Sequence, residues 1–494
     1  MHLKCKFSLF YLFFLMSTKS LLQNTILYSF SGLILRASSI FLFPIFSYYL
    51  KASDYGIISI TGSLTLIISS IAMLEIPRAI TRYIYVQENN KHQNDQYIST
   101  AFITILSIHL VLSLLLIFLG KFLLKPLLND IPFFPYMFIA ILALPFTALF
   151  DFYKQLKKSE QNGYTAFKAE MLYYGGNIFF NLLFVVVFKM DAMGIILSTL
   201  VVAILFSLYF FFFEKKIYTS GFSWPLLKNL LHYSMPILIF ILFGLLMEST
   251  DRLFLNYKTN TTSSGIYFIA LTFASIFSIL KESVNSSFTP WFYEYYEKKR
   301  YRELEKIFKS ILIGMTILSV SLTWFSYEIL YILTSNRDLL AATSYIPYAL
   351  ISLYLVFIGQ TFNLFVFYEI SKTKHLIWSN LAGFLINLLF CYLLVPVYLE
   401  KGAILSRLAA FFIMSSIQIV IGMHFSKIKI RYSFISLLLL LNILFSSILF
   451  LPIPYLYLII FKIVTTIIML ILFYLYLKKS YSFSIKNIFH LIKS

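Results

Sequence analysis

Ile98–Gly120 reads ISTAFITILSIHLVLSLLLIFLG, 23 residues without one Asp, Glu, Lys, Arg or Pro. About 20 such residues in an α-helix cross the roughly 30 Å hydrocarbon core of a bilayer. Lipid offers no partner to backbone N–H and C=O groups, so an isolated run must bond within itself, as a helix. A strand of a membrane barrel would alternate apolar and polar residues over about ten positions. This run is uncharged and mostly apolar over 23 residues without that alternation, and a barrel is excluded.

The same ruler laid along the chain finds fourteen runs: 27–50, 56–77, 98–120, 133–153, 167–188, 194–213, 232–256, 265–290, 309–334, 346–370, 376–398, 402–423, 434–452 and 456–477. Polar stretches such as Gln87–Gln96, Lys154–Gly163 and Trp291–Lys306 separate some of them, while Lys51–Tyr55 and Glu400–Gly402 read as tight turns. Pro452 and Pro454 divide the last two. Composition agrees: 12% of the 494 residues are charged and 60% are apolar, against roughly 25% and 45–50% in soluble domains. The expected fold class is an all-α polytopic membrane protein of about fourteen transmembrane helices.

The net charge of +19 raises nucleic-acid binding, but a binder gathers its basic residues into one stripe or patch. Here they sit in short gaps between apolar runs, where Lys and Arg hold loops on the cytoplasmic side. With the N-terminus inside, cytoplasmic segments hold 28 of the 40 basic residues and the opposite side seven. Both termini are therefore expected in the cytoplasm, with no nucleic-acid partner. Arg36, Arg252, Lys281, Arg407 and Lys462 fall inside spans.

Two cysteines, Cys5 and Cys391, imply no disulfide framework. The seven histidines have no ligand spacing, so no metal is expected, and the absence of GxxxxGK[ST] argues against bound ATP. Phe7–Met16 is too short to span and lacks a small-residue cleavage site. Residues 1–15 are expected to be a non-native extension, with translation starting at Met16.

An internal repeat is visible. Tyr28-Ser29 opens the first run, with Tyr55-Gly56-Ile57 at the start of the second; Tyr233-Ser234 opens the seventh, with Ser264-Gly265-Ile266-Tyr267 at the start of the eighth. Parallel repeats of this sort build many transporters. The expected organisation is a six-helix lobe over 16–230, a second over 231–430, and two further helices with a basic tail over 431–494.

Asn24-Thr25-Ile26-Leu27-Tyr28-Ser29, the Pro44…Tyr49-Leu50…Asp54-Tyr55-Gly56 turn and Pro77…Ala79-Ile80…Arg82-Tyr83 resemble the start of Wzx-type polysaccharide flippases. These belong to the multidrug/oligosaccharidyl-lipid/polysaccharide (MOP) exporter superfamily. Asp251-Arg252-Leu253…Gly265-Ile266-Tyr267…Ala270 looks like the seventh and eighth helices of the same family. The resemblance implies alternating access between two six-helix lobes. Its cargo would be undecaprenyl-diphosphate-linked oligosaccharide, carried across a bacterial inner membrane for surface polysaccharide such as lipopolysaccharide O-antigen. It implies membrane lipids, a polysaccharide polymerase and chain-length machinery as partners.

An ionisable group at a helix centre costs about 2.5–3.5 kcal/mol on insertion scales, so it faces a cavity or a partner. Arg36 lies about 13 Å into the first span; a guanidinium suits a diphosphate, or an acid on another helix such as Glu75 or Glu328. Lys281 lies 16 residues into the eighth, in its cytoplasmic half, with Glu282 adjacent and expected to point elsewhere; the alternative is a helix that ends there with Lys281 snorkelling to the interface. These two read as unpaired substrate-binding cations. Arg252 follows Glu248 by four residues, the spacing of a helical ion pair; the resemblance carries an Asp-Arg pair onto Asp251 and Arg252, which reads alternatively as a gate. Arg407 and Lys462 read as interfacial anchors, each alternatively as a cavity cation. Glu248, Asp251 and Glu328 are candidates for gating or for binding a coupling H⁺ or Na⁺; no other cofactor is expected.

Two alternatives stand beside the flippase. An exporter of drugs or metabolites on the same scaffold would need an acidic cavity for cationic cargo. A polysaccharide polymerase or glycosyltransferase would need a sizeable outer loop, and the longest here, Lys121–Pro132, has one acid, Asp130. The expectation is a transporter and not an enzyme.

Overall fold

The structure is a computed structural model that describes residues 41–86, 91–214, 217, 220–368, 374–428, 430–450 and 454–481. Arg36, Cys5 and the proposed extension 1–15 lie outside the described residues. Among those described there is no strand; the chain is built of helices.

The first half comprises α1 (Ala52–Met73), α2 (Ile76–Val86), α3 (Lys91–Leu123), α4 (Phe138–Ser159), α5 (Gly163–Asn181), α6 (Asp191–Phe213) and α7 (Trp224–Lys258). The second comprises α8 (Thr261–Glu297), α9 (Tyr301–Trp324), α10 (Ser326–Leu333), α11 (Ile346–Tyr368), α12 (Lys374–Phe425), α13 (Tyr432–Ser447) and α14 (Tyr455–Tyr481). Eleven helical stretches among the described residues are long and apolar enough to cross a membrane. One of them, α12, turns at Leu399 (φ 49°, ψ −123°) and so contains two of the expected runs. α13 is a shorter apolar helix, and residues 41–49 are the helical end of the first run. Each of the fourteen runs thus meets a helix.

Local chemistry sets several boundaries. The Asp54 carboxylate accepts from the Lys51 N–H at 2.8 Å at the start of α1, satisfying one of the donors a helix start leaves open. The break between α1 and α2 is not marked by a proline inside the span. Leu74 and Glu75 both adopt φ 52°, a left-handed geometry costing about 1–2 kcal/mol per non-glycine residue. Pro77 follows in the first turn of α2, where a missing N–H costs nothing. Glu75 then pairs with Arg78 at 3.0 Å.

The chain divides into two compact units between Gly265 and Ile266. In the first, α4 packs against α1, α3, α5 and α6. Its core is aromatic: Phe150 stacks on Tyr173 at 3.7 Å, and Phe206 meets Phe150 edge-on at 5.1 Å. The start of α8 presses on the start of α1. A Cβ on Gly265 would lie 1.7 Å from the Ala52 carbonyl oxygen, and one on Gly56 1.9 Å from the Thr261 oxygen. With no hydrophobic effect between helices in lipid, such close backbone approach is how transmembrane helices gain contact, and it requires residues without a side chain.

In the second unit α11 is the most enclosed helix, with α12 folded along it. The Trp324 indole donates to the Phe445 carbonyl at 2.6 Å, joining α9 to α13.

Candidate functional site

Two adjoining cavities open within the first unit. One, of about 300 Å³, lies between α1, α4 and α6, with Thr61, Thr65, Ser69, Thr147, Thr199 and Asp151 among its walls. The other, of about 250 Å³, is lined by Glu75, Arg78, Lys154 and Gln155, with Ile241 and Leu245 from α7. Leu66, Ser69 and Asp151 belong to both. Asp151 and Lys154 form an ion pair at 2.8 Å, and the Lys154 ammonium also lies 5.1 Å from the centre of the Phe150 ring.

The hydroxyls have a definite polarity. Thr61, Thr65, Thr147 and Thr199 each spend the single O–H on a carbonyl of their own helix: Ile57 at 2.7 Å, Thr61 at 2.9 Å, Leu144 at 3.0 Å and Ile195 at 3.2 Å. What remains for the cavity is oxygen lone pairs. Behind Ser69 stands His109, 1% exposed. Its Nδ1 lies 2.8 Å from the Ile105 carbonyl, which only accepts, so Nδ1 carries the proton. In the neutral ring Nε2 is then an acceptor, 3.5 Å from the Ser69 oxygen, the long limit of a hydrogen bond. Ser69 donates to it and likewise turns lone pairs outward.

Apart from Glu75, weighed as a partner for Arg36, none of these groups was among the residues singled out from the sequence. A signal exists. Thr61, Thr65 and Ser69 recur at four-residue steps on α1, as do Thr147, Asp151 and Gln155 on α4, and four-residue steps align side chains along one helix face.

The sequence-derived candidates lie elsewhere. Arg252 donates from Nη2 to the Glu248 backbone oxygen at 2.9 Å, and the buried Asp251 carboxylate accepts from the Arg252 N–H at 2.8 Å. Glu248 is exposed on the helix surface. In the second unit, Lys281 is 6% exposed, and its ammonium donates to the Gln360 side-chain oxygen on α11 at 3.0 Å. The expectation that Lys281 is unpaired is corrected: neighbouring Glu282 folds back to 3.4 Å. A long Lys stem reaches a group whose Cα–Cβ bond points elsewhere around the helix.

Lys462 is likewise not an interfacial anchor. It is 2% exposed on α14 and pairs with Glu328 on α10 at 2.8 Å. Arg407 is 6% exposed, with its guanidinium over the Phe411 ring at 4.9 Å. Lys281 and Glu328 thus have different partners. Arg36 lies outside the described residues.

Residues 21–296, more than half of the chain, match the family described as polysaccharide biosynthesis protein. The chain belongs to this family. Both cavities lie inside the matched region. An uncharacterized membrane protein of Methanocaldococcus jannaschii is 26% identical over 253 residues, 49% of this chain; the chain spans about half (50%) of the length of that curated relative. Among solved structures, lipid II flippase MurJ in an inward closed conformation is similar at TM-score 0.67 and 15% identity, covering 92% of this chain and 99% of that one. An inward-facing multidrug resistance MATE family transporter is similar at TM-score 0.66 and 14% identity, covering 79% and 97%. A MOP superfamily transporter from Pyrococcus furiosus gives TM-score 0.58 at 15% identity, covering 82% and 96%. The chain is a multi-pass membrane protein with the fold of the MOP superfamily.

Proposed function

We propose that this protein moves undecaprenyl-diphosphate-linked oligosaccharide units from the cytoplasmic to the outer leaflet of the bacterial inner membrane. The movement proceeds by alternating access of lobes 16–230 and 231–430, with residues 431–494 appended and both termini in the cytoplasm. The observation that carries the reading is the family match over residues 21–296, in a chain whose fold is that of MOP flippases and exporters. Arg36 and Lys281 contact the diphosphate, and Arg252 and Arg407 supply further positive charge. A guanidinium or ammonium excluded from bulk water binds such an anion strongly. Glu248, Asp251 and Glu328 serve gating or coupling to H⁺ or Na⁺. A polymerase and chain-length machinery receive the product.

In cells lacking the gene, lipid-linked repeat units are expected to accumulate on the cytoplasmic side and surface polysaccharide to be lost. Expression of the chain restores export. Failure of restoration by a protein present at normal membrane abundance counts against the reading. Export of cationic compounds is the second reading, favoured by the acceptor-lined cavity at Asp151. It predicts growth protection from such compounds and no change in surface polysaccharide.

A further inference from the structure

The larger cavity of the first unit offers lone pairs and one carboxylate, and the four threonine hydroxyls have no proton left to donate into it. Such a wall is complementary to a ligand that brings positive charge, and oxygen donors of this kind suit hard cations. Asp151 also faces the smaller cavity, where its partner Lys154 stands with the pair Glu75–Arg78. Two acids and two bases leave that second cavity without net charge, and each basic group already occupies a carboxylate.

We infer that Asp151 and the hydroxyls around it form a monovalent-cation site, and that a cation bound there releases Lys154 to bind an anion in the adjoining cavity. The coupling follows from the shared residue. Asp151 cannot neutralise both Lys154 and an incoming cation. When the cation takes the carboxylate, the Lys154 ammonium is left against the Phe150 ring and the second cavity, with Arg78, carries a net positive charge. A diphosphate is the anion of matching chemistry; that part rests on the proposed function, whereas the cation site does not. By reciprocity the anion tightens cation binding by the same factor. The cation is Na⁺ or a proton. The titratable and charged groups facing Asp151 are His109 from α3, Lys154 on its own helix, Tyr173 and Tyr174 from α5, and Glu75 and Arg78 at the α1–α2 break; Tyr174 and Glu170 of α5 also face Lys154. The lining residues of α6 and α7 carry none.

The test uses the full-length protein in lipid nanodiscs and inorganic pyrophosphate as probe. Affinity is measured in sodium chloride and in choline chloride of equal ionic strength, at pH 8 and at pH 6. In the wild type, Na⁺ or the lower pH tightens pyrophosphate binding about five-fold or more. Response to sodium alone identifies Na⁺, and response to pH in choline alone identifies the proton. Asp151→Asn binds pyrophosphate at the tighter level in every buffer, because its Lys154 is already free. Lys154→Gln stays at the weaker level in every buffer, yet takes up ²²Na⁺ or protons at least as well as wild type. An affinity indifferent to both sodium and pH in the wild type overturns the inference. So does a cation response that persists in Asp151→Asn. Direct cation uptake by the wild type without pyrophosphate is read separately, so an incorrect cargo assignment leaves it intact. Loss of coupling, conversely, leaves the export result untouched.

Discussion

Gly56 and Gly265 lie against one another: a Cβ on Gly265 would come within 2.9 Å of the Gly56 backbone nitrogen. They are the corresponding glycines of the repeated Tyr55-Gly56-Ile57 and Ser264-Gly265-Ile266 segments. A short motif that looked like a family signature therefore has a packing cause. Two helices meet backbone to backbone where each copy omits its side chain.

Replacing either glycine by alanine is expected to destabilise the protein by about 1–3 kcal/mol, the usual range for overpacking, and valine by more. Thermal unfolding in detergent checks this. Equal melting temperatures for wild type and Gly265→Ala contradict the contact.

Lys462 and Glu328 form an ion pair with both side chains mostly enclosed, 2% and 15% exposed. Leaving one buried charge alone typically costs about 3–5 kcal/mol. Lys462→Met and Glu328→Gln should each be strongly destabilising, while the double variant recovers most of the loss. Additive penalties in a double-mutant cycle would count against the pairing.

Lys281 is expected to behave differently, because the proposed role is in transport. Lys281→Ala should abolish polysaccharide export with membrane abundance unchanged. If Lys281 instead serves only to bridge Gln360 and Glu282, Lys281→Met exports normally or is lost from the membrane.

Cys391 is fully buried, with its thiol on the Asn387 side-chain oxygen at 3.2 Å. A thiol enclosed in the protein is shielded from a reagent in the water. In a Cys5→Ser background, maleimide labelling of the folded protein should be slow and become complete on denaturation. Rapid labelling of the folded state would place this face of α12 in contact with solvent.

The spans were legible because each is a continuous apolar run of bilayer length, and lipid leaves the backbone one way to satisfy itself. Direction around the helix was not. Lys462 read as an anchor because its sequence position gives distance from the end of a span, not the presence of Glu328 on a helix 134 residues away. Glu282 was set aside from Lys281 on Cα–Cβ geometry, which four methylenes easily override. Asp151 sits close enough to Lys154–Gly163 to pass for a span end. What places it in a site is the four-residue rhythm of hydroxyls on two helices, and only the fold brings those two faces together. The bend at Leu74–Glu75 carries no glycine, and Pro77 lies beyond it, so composition gave it no mark.

The most direct test of the account is transport by the purified protein. Proteoliposomes carrying a polyprenyl-diphosphate-linked oligosaccharide in one leaflet are sampled with a membrane-impermeant glycosidase. Wild-type protein should make the lipid-linked sugar accessible from the opposite face at a rate well above protein-free vesicles, and Lys281→Ala should not. An accessibility equal to that of empty vesicles, from protein shown to be folded and inserted, would contradict the central claim.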